Sequence, residues 1–195
     1  MRCLVLFTVA ACSSSSPPAA PSKPVTPLTK WRVPAEFREE TIPFPLDFAP
    51  TLTHQGVEEL RFAPGFFKPG TPGYWSYAFT WRTTDAADLD AAALAGELTA
   101  YFKGLITAVD EKKHQVPDKT AIAATATADG PGKFALTAHV FDAFGDGAAV
   151  DLTGFARRAA CGSGALWVFV LAPASSPLRA ELDTLAGEAV CGQPT

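Results

Sequence analysis

VEELRFAPGFFKPGTPGYWSYAFTWR, residues 57–82, reads as a β-hairpin carrying an unusually aromatic loop. In its second arm Trp75, Tyr77, Phe79 and Trp81 share one face while Tyr74, Ser76, Ala78, Thr80 and Arg82 share the other, the period-2 signature of a half-buried strand. In the first arm, residues 57–63, Leu60 and Phe62 fall on one face and Glu59 and Arg61 on the other, and Pro64 stops the strand. Four large rings on one face are enough to seed a core.

Upstream, residues 31–40 show no clear period and fit a short helix or an extended lead-in. Residues 41–49, TIPFPLDFA, alternate weakly, and Pro43 and Pro45 restrict them to an edge strand or an irregular extended segment. Downstream, Leu94, Leu98, Tyr101, Phe102, Leu105 and Val109 recur at helical spacing, with Asp85 or Asp88 as N-cap and Asp90 in the first turn. Lys112, Lys113 and His114 suit the negative end of that helix, and Pro117 prevents continuation. Strands are then expected at 119–128, 133–144, 149–158 and 166–171. The last, LWVFVL, is apolar on both faces and belongs in mid-sheet with something packed on each side. A closing helix is expected with Ser176 as N-cap, Pro177 in the first turn, Leu178, Leu182, Leu185 and Ala189 as its stripe, and Gly192 as a left-handed C-cap. Three strands, a helix, four strands and a helix make an α+β protein, a mainly antiparallel sheet flanked by helices. At 195 residues and 48% hydrophobic, one domain spanning 31–195 is expected.

The N-terminus carries an address. Arg2 is a short positive region, residues 3–9 are a short apolar one, and Val9-Ala10-Ala11-Cys12 resembles the lipobox at which bacterial lipoprotein precursors are cut. That resemblance implies a signal peptide at 1–11, cleavage before Cys12, and acylation of its thiol and new amine as a multi-chain membrane anchor. An ordinary signal peptide with a chance cysteine is the alternative. Residues 12–30, opening Cys12-Ser13-Ser14-Ser15-Ser16-Pro17-Pro18, have the composition of a tether, with few side chains to offset ordering entropy. Ser13 after the lipidated position accompanies outer-membrane sorting in the lipoproteins this resembles. With Cys3 removed and Cys12 acylated, Cys161 and Cys191 remain, and in an exported protein they are expected to form a disulfide. A helix returning antiparallel to the 166–171 strand would bring them together. Closing that loop of about thirty residues is worth on the order of 3 to 4 kcal/mol in the chain-entropy model.

Two further likenesses concern architecture and location. Phe44-Pro45-Leu46-Asp47-Phe48-Ala49-Pro50, the run from Gly56 to Gly65, and Tyr74-Trp75-Ser76-Tyr77-Ala78-Phe79 are similar to a motif set of an uncharacterised exported bacterial lipoprotein family, which implies no activity. The ending, two strands, LWVFVLAP and a proline-capped helix, resembles PsbP and Mog1-like α/β/α sandwiches, and carries no functional residue across.

The chemistry is sparse. A net charge of −4 with scattered basic residues leaves no footprint for nucleic acid. Gly162-Ser163-Gly164 lacks the spacing of a hydrolase elbow and precedes a strand. The run from Phe141 to Gly147 has the outline of a calcium loop, yet Phe and Ala occupy ligand positions and Thr153 replaces the closing Glu, so a hairpin turn is expected. His54, His114 and His139 lie at no ligand spacing, and neither metal nor cofactor is expected. Two surfaces compete for function. On the polar sheet face, His139 and Asp151 could form a general-base pair with Arg82 holding an anion, a small-molecule or hydrolytic site; a solvated sheet face is the plain alternative. On the hairpin loop, Phe66 and Phe67 either present an aromatic surface to a protein or envelope component, or fold back as a lid. The leading expectation is a non-enzymatic, membrane-anchored interaction module using that loop.

Overall fold

The computed structural model describes residues 26–85 and 88–192; the expected signal peptide, the expected lipidation position Cys12 and most of the expected tether lie outside the described residues. In chain order the elements are β1 (Thr29–Lys30), β2 (Arg38–Phe44), β3 (Gly56–Phe62), β4 (Tyr77–Thr83), α1 (Ala91–Asp110), β5 (Ala123–Ala128), β6 (Lys133–Phe141), β7 (Ala149–Cys161), β8 (Gly164–Pro173), α2 (Arg179–Glu188) and β9 (Val190–Cys191). Seven strands form one antiparallel sheet in the order β2-β3-β4-β8-β7-β6-β5, and β1 pairs with β9 beside it. This is an α+β fold with one helix on each face of the sheet.

The two-faced strand explains the layering. β8 lies between β4 and β7, sending Trp167, Phe169 and Leu171 into one core and Leu166, Val168 and Val170 into the other. The first core is aromatic. Tyr77, Phe79 and Trp81 of β4 meet Leu94, Leu98, Tyr101, Phe102 and Ile106 of α1 there, with Phe79 stacked 4.4 Å from Phe169. The second core is aliphatic, formed with Leu182, Leu185 and Ala186 of α2. Each fully buried side chain of this kind contributes roughly 1.5 to 3 kcal/mol, so both cores drive the sheet's burial.

Several element ends differ from expectation because side chains are engaged elsewhere. Asp90, not Asp85 or Asp88, caps α1 by accepting from Ala93 N at 2.8 Å; Asp85 is drawn to His54 and Asp88 to Arg158. The Asp110 carboxylate turns the chain after α1, accepting from Gln115 N at 2.7 Å and meeting Lys119 Nζ at 2.7 Å. Lys113 leaves the helix end and donates to the carbonyls of Ala143 and Phe144. Residues 119–121 form a 3-10 turn capped by Asp118, which delays β5 to Ala123. β6 ends at Phe141 because the buried Asp142 collects the Tyr74 hydroxyl and Gly145 N. α2 begins at Arg179, after a turn at Pro177 and Leu178 in which Ser176 Oγ, 2.8 Å from the Ser76 hydroxyl, accepts from Leu178 N at 3.3 Å. Gly192 is not a helix cap: α2 passes straight into β9, and Gly192 N donates to Leu28 O at 2.9 Å.

Glu59 accepts from Leu28 N at 2.8 Å, Thr29 N at 2.7 Å and Trp31 Nε1 at 3.2 Å, strapping the N-terminal segment across the α2 side of β3 and β4. Cys161 and Cys191 meet as a disulfide with Cα atoms 5.9 Å apart, joining the ends of β7 and β9.

Candidate functional site

The hairpin closes with Phe62 opposite Tyr77, and the loop between them is wound tightly on itself. Phe66 N donates to Ala63 O, Lys68 N to Gly65 O and Trp75 N to Phe66 O. The Thr71 hydroxyl sits 2.8 Å from the carbonyls of both Gly65 and Lys68. Gly73 permits the close return of the chain, because a Cβ there would lie 2.1 Å from Pro64 O. This winding turns Phe66 inward, 4% exposed, with its ring 4.7 Å from Phe62, 5.2 Å from Tyr77 and 5.5 Å from Trp75. Phe67 stays 38% exposed, edge-on to Phe66 and Phe144, with the Arg38 guanidinium 5.3 Å over its ring. One phenylalanine is therefore core, and the other forms a rim.

Both line a cavity of about 540 Å³. Its floor is Ile42 of β2, Leu60 and Phe62 of β3 and Tyr77 of β4. One wall is Tyr101, Leu105 and Val109 of α1; the other is Phe66, Phe67 and Trp75, with Phe48 and Phe144 at the ends. Arg38 and Glu40 of β2 supply the charged groups of the lining. The cavity exists because α1 lies toward β5, where Thr99 Oγ1 accepts from Ala124 N at 2.9 Å, and leaves the outer strands β2 and β3 without a helix of their own. The segment 46–52 covers part of that gap with Leu46, Ala49 and Leu52. It approaches α1 so closely that a Cβ on Gly104 would lie 2.0 Å from Phe48 O. A second depression of about 210 Å³ shares Arg38, Phe62, Phe66 and Phe67 and adds Glu36 and Lys68.

Two titratable groups brace this region from within. Glu58, one residue from Glu59 on the opposite face of β3, is fully buried and accepts from Trp81 Nε1 at 3.1 Å, while its Oε2 has no hydrogen-bond partner among the described residues. Burial pushes its carboxyl up to about 8, against the pull of Trp81 and the neighbouring Tyr101 hydroxyl, so it is neutral at pH 7. The same burial, with the Glu58 charge adding, lifts the phenols of Tyr77 and Tyr101 well above their ordinary range. His54 lies between Glu97, 2.9 Å from Nε2, and Asp85, 2.8 Å from Nδ1. The Glu97 hydrogen bond outweighs burial and, with Asp85, raises the imidazole to about 9. It is an imidazolium clamp joining the covering segment, the end of the hairpin and α1.

The polar-face trio does not assemble. His139 and Asp151 are cross-strand partners, with Nδ1 2.7 Å from Oδ1, but they are 40% and 84% exposed on an open sheet face. Arg82 pairs with Leu166, which in turn faces Ala159 on β7, eight residues from Asp151 and so about 26 Å along the strand. Its guanidinium is committed to the carbonyls of Thr83 and Cys161. Among the described residues, no group of three His, Cys, Asp or Glu side chains could hold a metal ion.

Arg38, Glu40, Glu58, His54, Leu105 and Val109 were not legible as site residues. Only Glu58 carried a signal, since the alternation that puts Leu60 and Phe62 on the apolar face puts Glu58 there too. No protein-family model, curated protein or solved structure matches this chain. The fold and site define an α+β sandwich with an aromatic pocket at one sheet edge.

Proposed function

We propose that this chain is a lipid-anchored binding module of a bacterial cell envelope, held to the membrane, in the outer-membrane sense of its Ser13, through acylated Cys12. It takes the apolar part of an envelope component into the pocket behind the aromatic hairpin. The binding role is carried by one observation, the cavity of about 540 Å³ lined almost wholly by rings and aliphatic side chains. Concave apolar sites of this size with a few polar groups at the rim are the usual form of small-ligand pockets. Loop hydrogen bonds and the Gly73 approach hold the pocket open without a ligand, which lowers the ordering cost of binding. The lining sets rings rather than a nucleophile with its base around the cavity, which supports binding over catalysis. The lipobox resemblance and the Ser/Pro-rich tether support the anchor.

Leu105→Trp fills the cavity from a half-buried helix position and leaves the aromatic core in place. Calorimetric titration of the soluble domain with monomeric dodecyl maltoside is expected to saturate for the native chain. The variant should bind at least tenfold more weakly at an unchanged melting temperature; equal binding by both would remove the pocket from the account. For the anchor, Cys12→Ala is expected to move the protein to the soluble fraction without acyl mass. Retention at the membrane with an acylated mass would overturn that part.

A further inference from the structure

We infer that the pocket's ligand is a zwitterionic amphiphile, an apolar chain bearing an anionic and a cationic group a few ångströms apart; this rests on the pocket reading above. Arg38 and Glu40 sit at alternate positions on β2, so they leave the strand on the same face with Cα atoms roughly 7 Å apart. Both line the cavity. Among the described residues, Arg38 is the only arginine with no oxygen partner. The others lie on Glu188 (Arg32), on Glu59 and Glu39 (Arg61), on Asp88 (Arg158), or on backbone carbonyls (Arg82, Arg157 and Arg179). Arg38 instead rests on the face of Phe67, which leaves its N–H edge free to donate to an anion. Glu40 likewise has no cation in ion-pair range, although Glu39 beside it, on the opposite face of the strand, reaches Arg61 at 3.7 Å. Nor do Arg38 and Glu40 pair with one another.

Two opposite charges left unpaired on the rim of an apolar cavity describe a complementary head. A phosphate on Arg38 and an ammonium on Glu40 would satisfy both, with the chain among Phe66, Leu105 and Val109. A head of single charge gains from one rim residue and is repelled by the other, so charge alone would not hold it. Because the rim is solvated, the preference is moderate and weakens with salt.

The test is calorimetric titration of the domain with monomeric dodecylphosphocholine, dodecyl phosphate, dodecylammonium and dodecyl maltoside. Dodecylphosphocholine is expected to bind about tenfold tighter than each of the others at low salt. Arg38→Gln and Glu40→Gln should each bring dodecylphosphocholine down to the same variant's own affinity for maltoside, at an unchanged melting temperature. If dodecyl phosphate equals or exceeds dodecylphosphocholine and Glu40→Gln improves it, the head is anionic and the inference fails. Equal affinity for phosphocholine and maltoside, both abolished by Leu105→Trp, would overturn the zwitterionic head and leave the pocket standing. Binding of none of the four would overturn pocket and head together.

Discussion

The two faces of the sheet carry one helix each, and the aromatic cavity lies on the α1 face. On the α2 side the N-terminal segment crosses β3 and β4, fastened by Glu59, a buried carboxylate with three N–H donors and Arg61 3.8 Å away. On the α1 side β3 and its outer neighbour β2 have only the partial cover of 46–52, and the carboxyl facing that way, Glu58, has a single hydrogen bond. Adjacent residues of one strand thus meet opposite conditions. What makes a pocket in this fold is a missing strap over the outer strands rather than a distortion of the sheet. The aromatic loop then walls the gap.

That contrast can be broken most severely at Glu59. Glu59→Ala removes the acceptor for three donors and leaves Arg61 buried beside Glu39 alone, so urea denaturation is expected to show a loss of about 4 kcal/mol. Exchange of the Leu28 and Thr29 amides should accelerate. A loss below about 1 kcal/mol would mean the strap is not what closes this face.

Glu58 should behave in the opposite sense. Its folded pKa is raised to about 8, so between roughly pH 4.5 and 8 the native state keeps a proton that the unfolded state releases, and stability falls as pH rises through that window. Glu58→Gln is expected to leave stability unchanged at pH 4 and to raise it by about 3 kcal/mol at pH 7. A variant with the same pH slope as the native chain would show that the carboxyl is ionised in place.

The smallest effect is expected at His54, which holds the partial cover over the pocket side. Its folded pKa is raised to about 9, so its stabilisation is fully present below about pH 6.5 and is lost as pH rises toward 9. His54→Gln should cost about 2 kcal/mol at pH 6, a value discounted for the half-exposed Asp85, and converge on the native chain above pH 9. A pH-independent difference would assign His54 a packing role instead.

Much of the scaffold was readable because burial on a strand or helix has a period. Tyr77, Phe79 and Trp81 alternated into one core, LWVFVL announced a strand covered on both faces, and Leu94, Leu98, Tyr101 and Phe102 marked the helix that covers it. The site was less readable because a pocket is a failure of that same pattern. Leu105 and Val109 continue the α1 stripe in sequence, yet they border empty space because no strand-covering helix meets them there. Arg38 and Glu40 fell in a stretch without period whose strand is defined only by its ladder to β3. Phe66 and Phe67 stood out by composition, but which one turns inward is decided by Thr71 and Gly73 several residues away. His139 and Asp151 were correctly opposable across strands; the register that joins them also carries Arg82 to a distant part of the sheet.

The pairing of β1 with β9 has a mechanical meaning. A pull on the chain from its N-terminal side enters at Leu28 and Thr29, where it meets the Glu59 carboxylate and a short ladder to β9 before it can reach the rest of the fold. The Cys161–Cys191 crosslink passes that load from β9 into the end of β7, a strand hydrogen-bonded on both sides, without routing it through α2. Tension entering there is thereby shared between β3, the strand that floors the pocket, and β7 on the far side of β8.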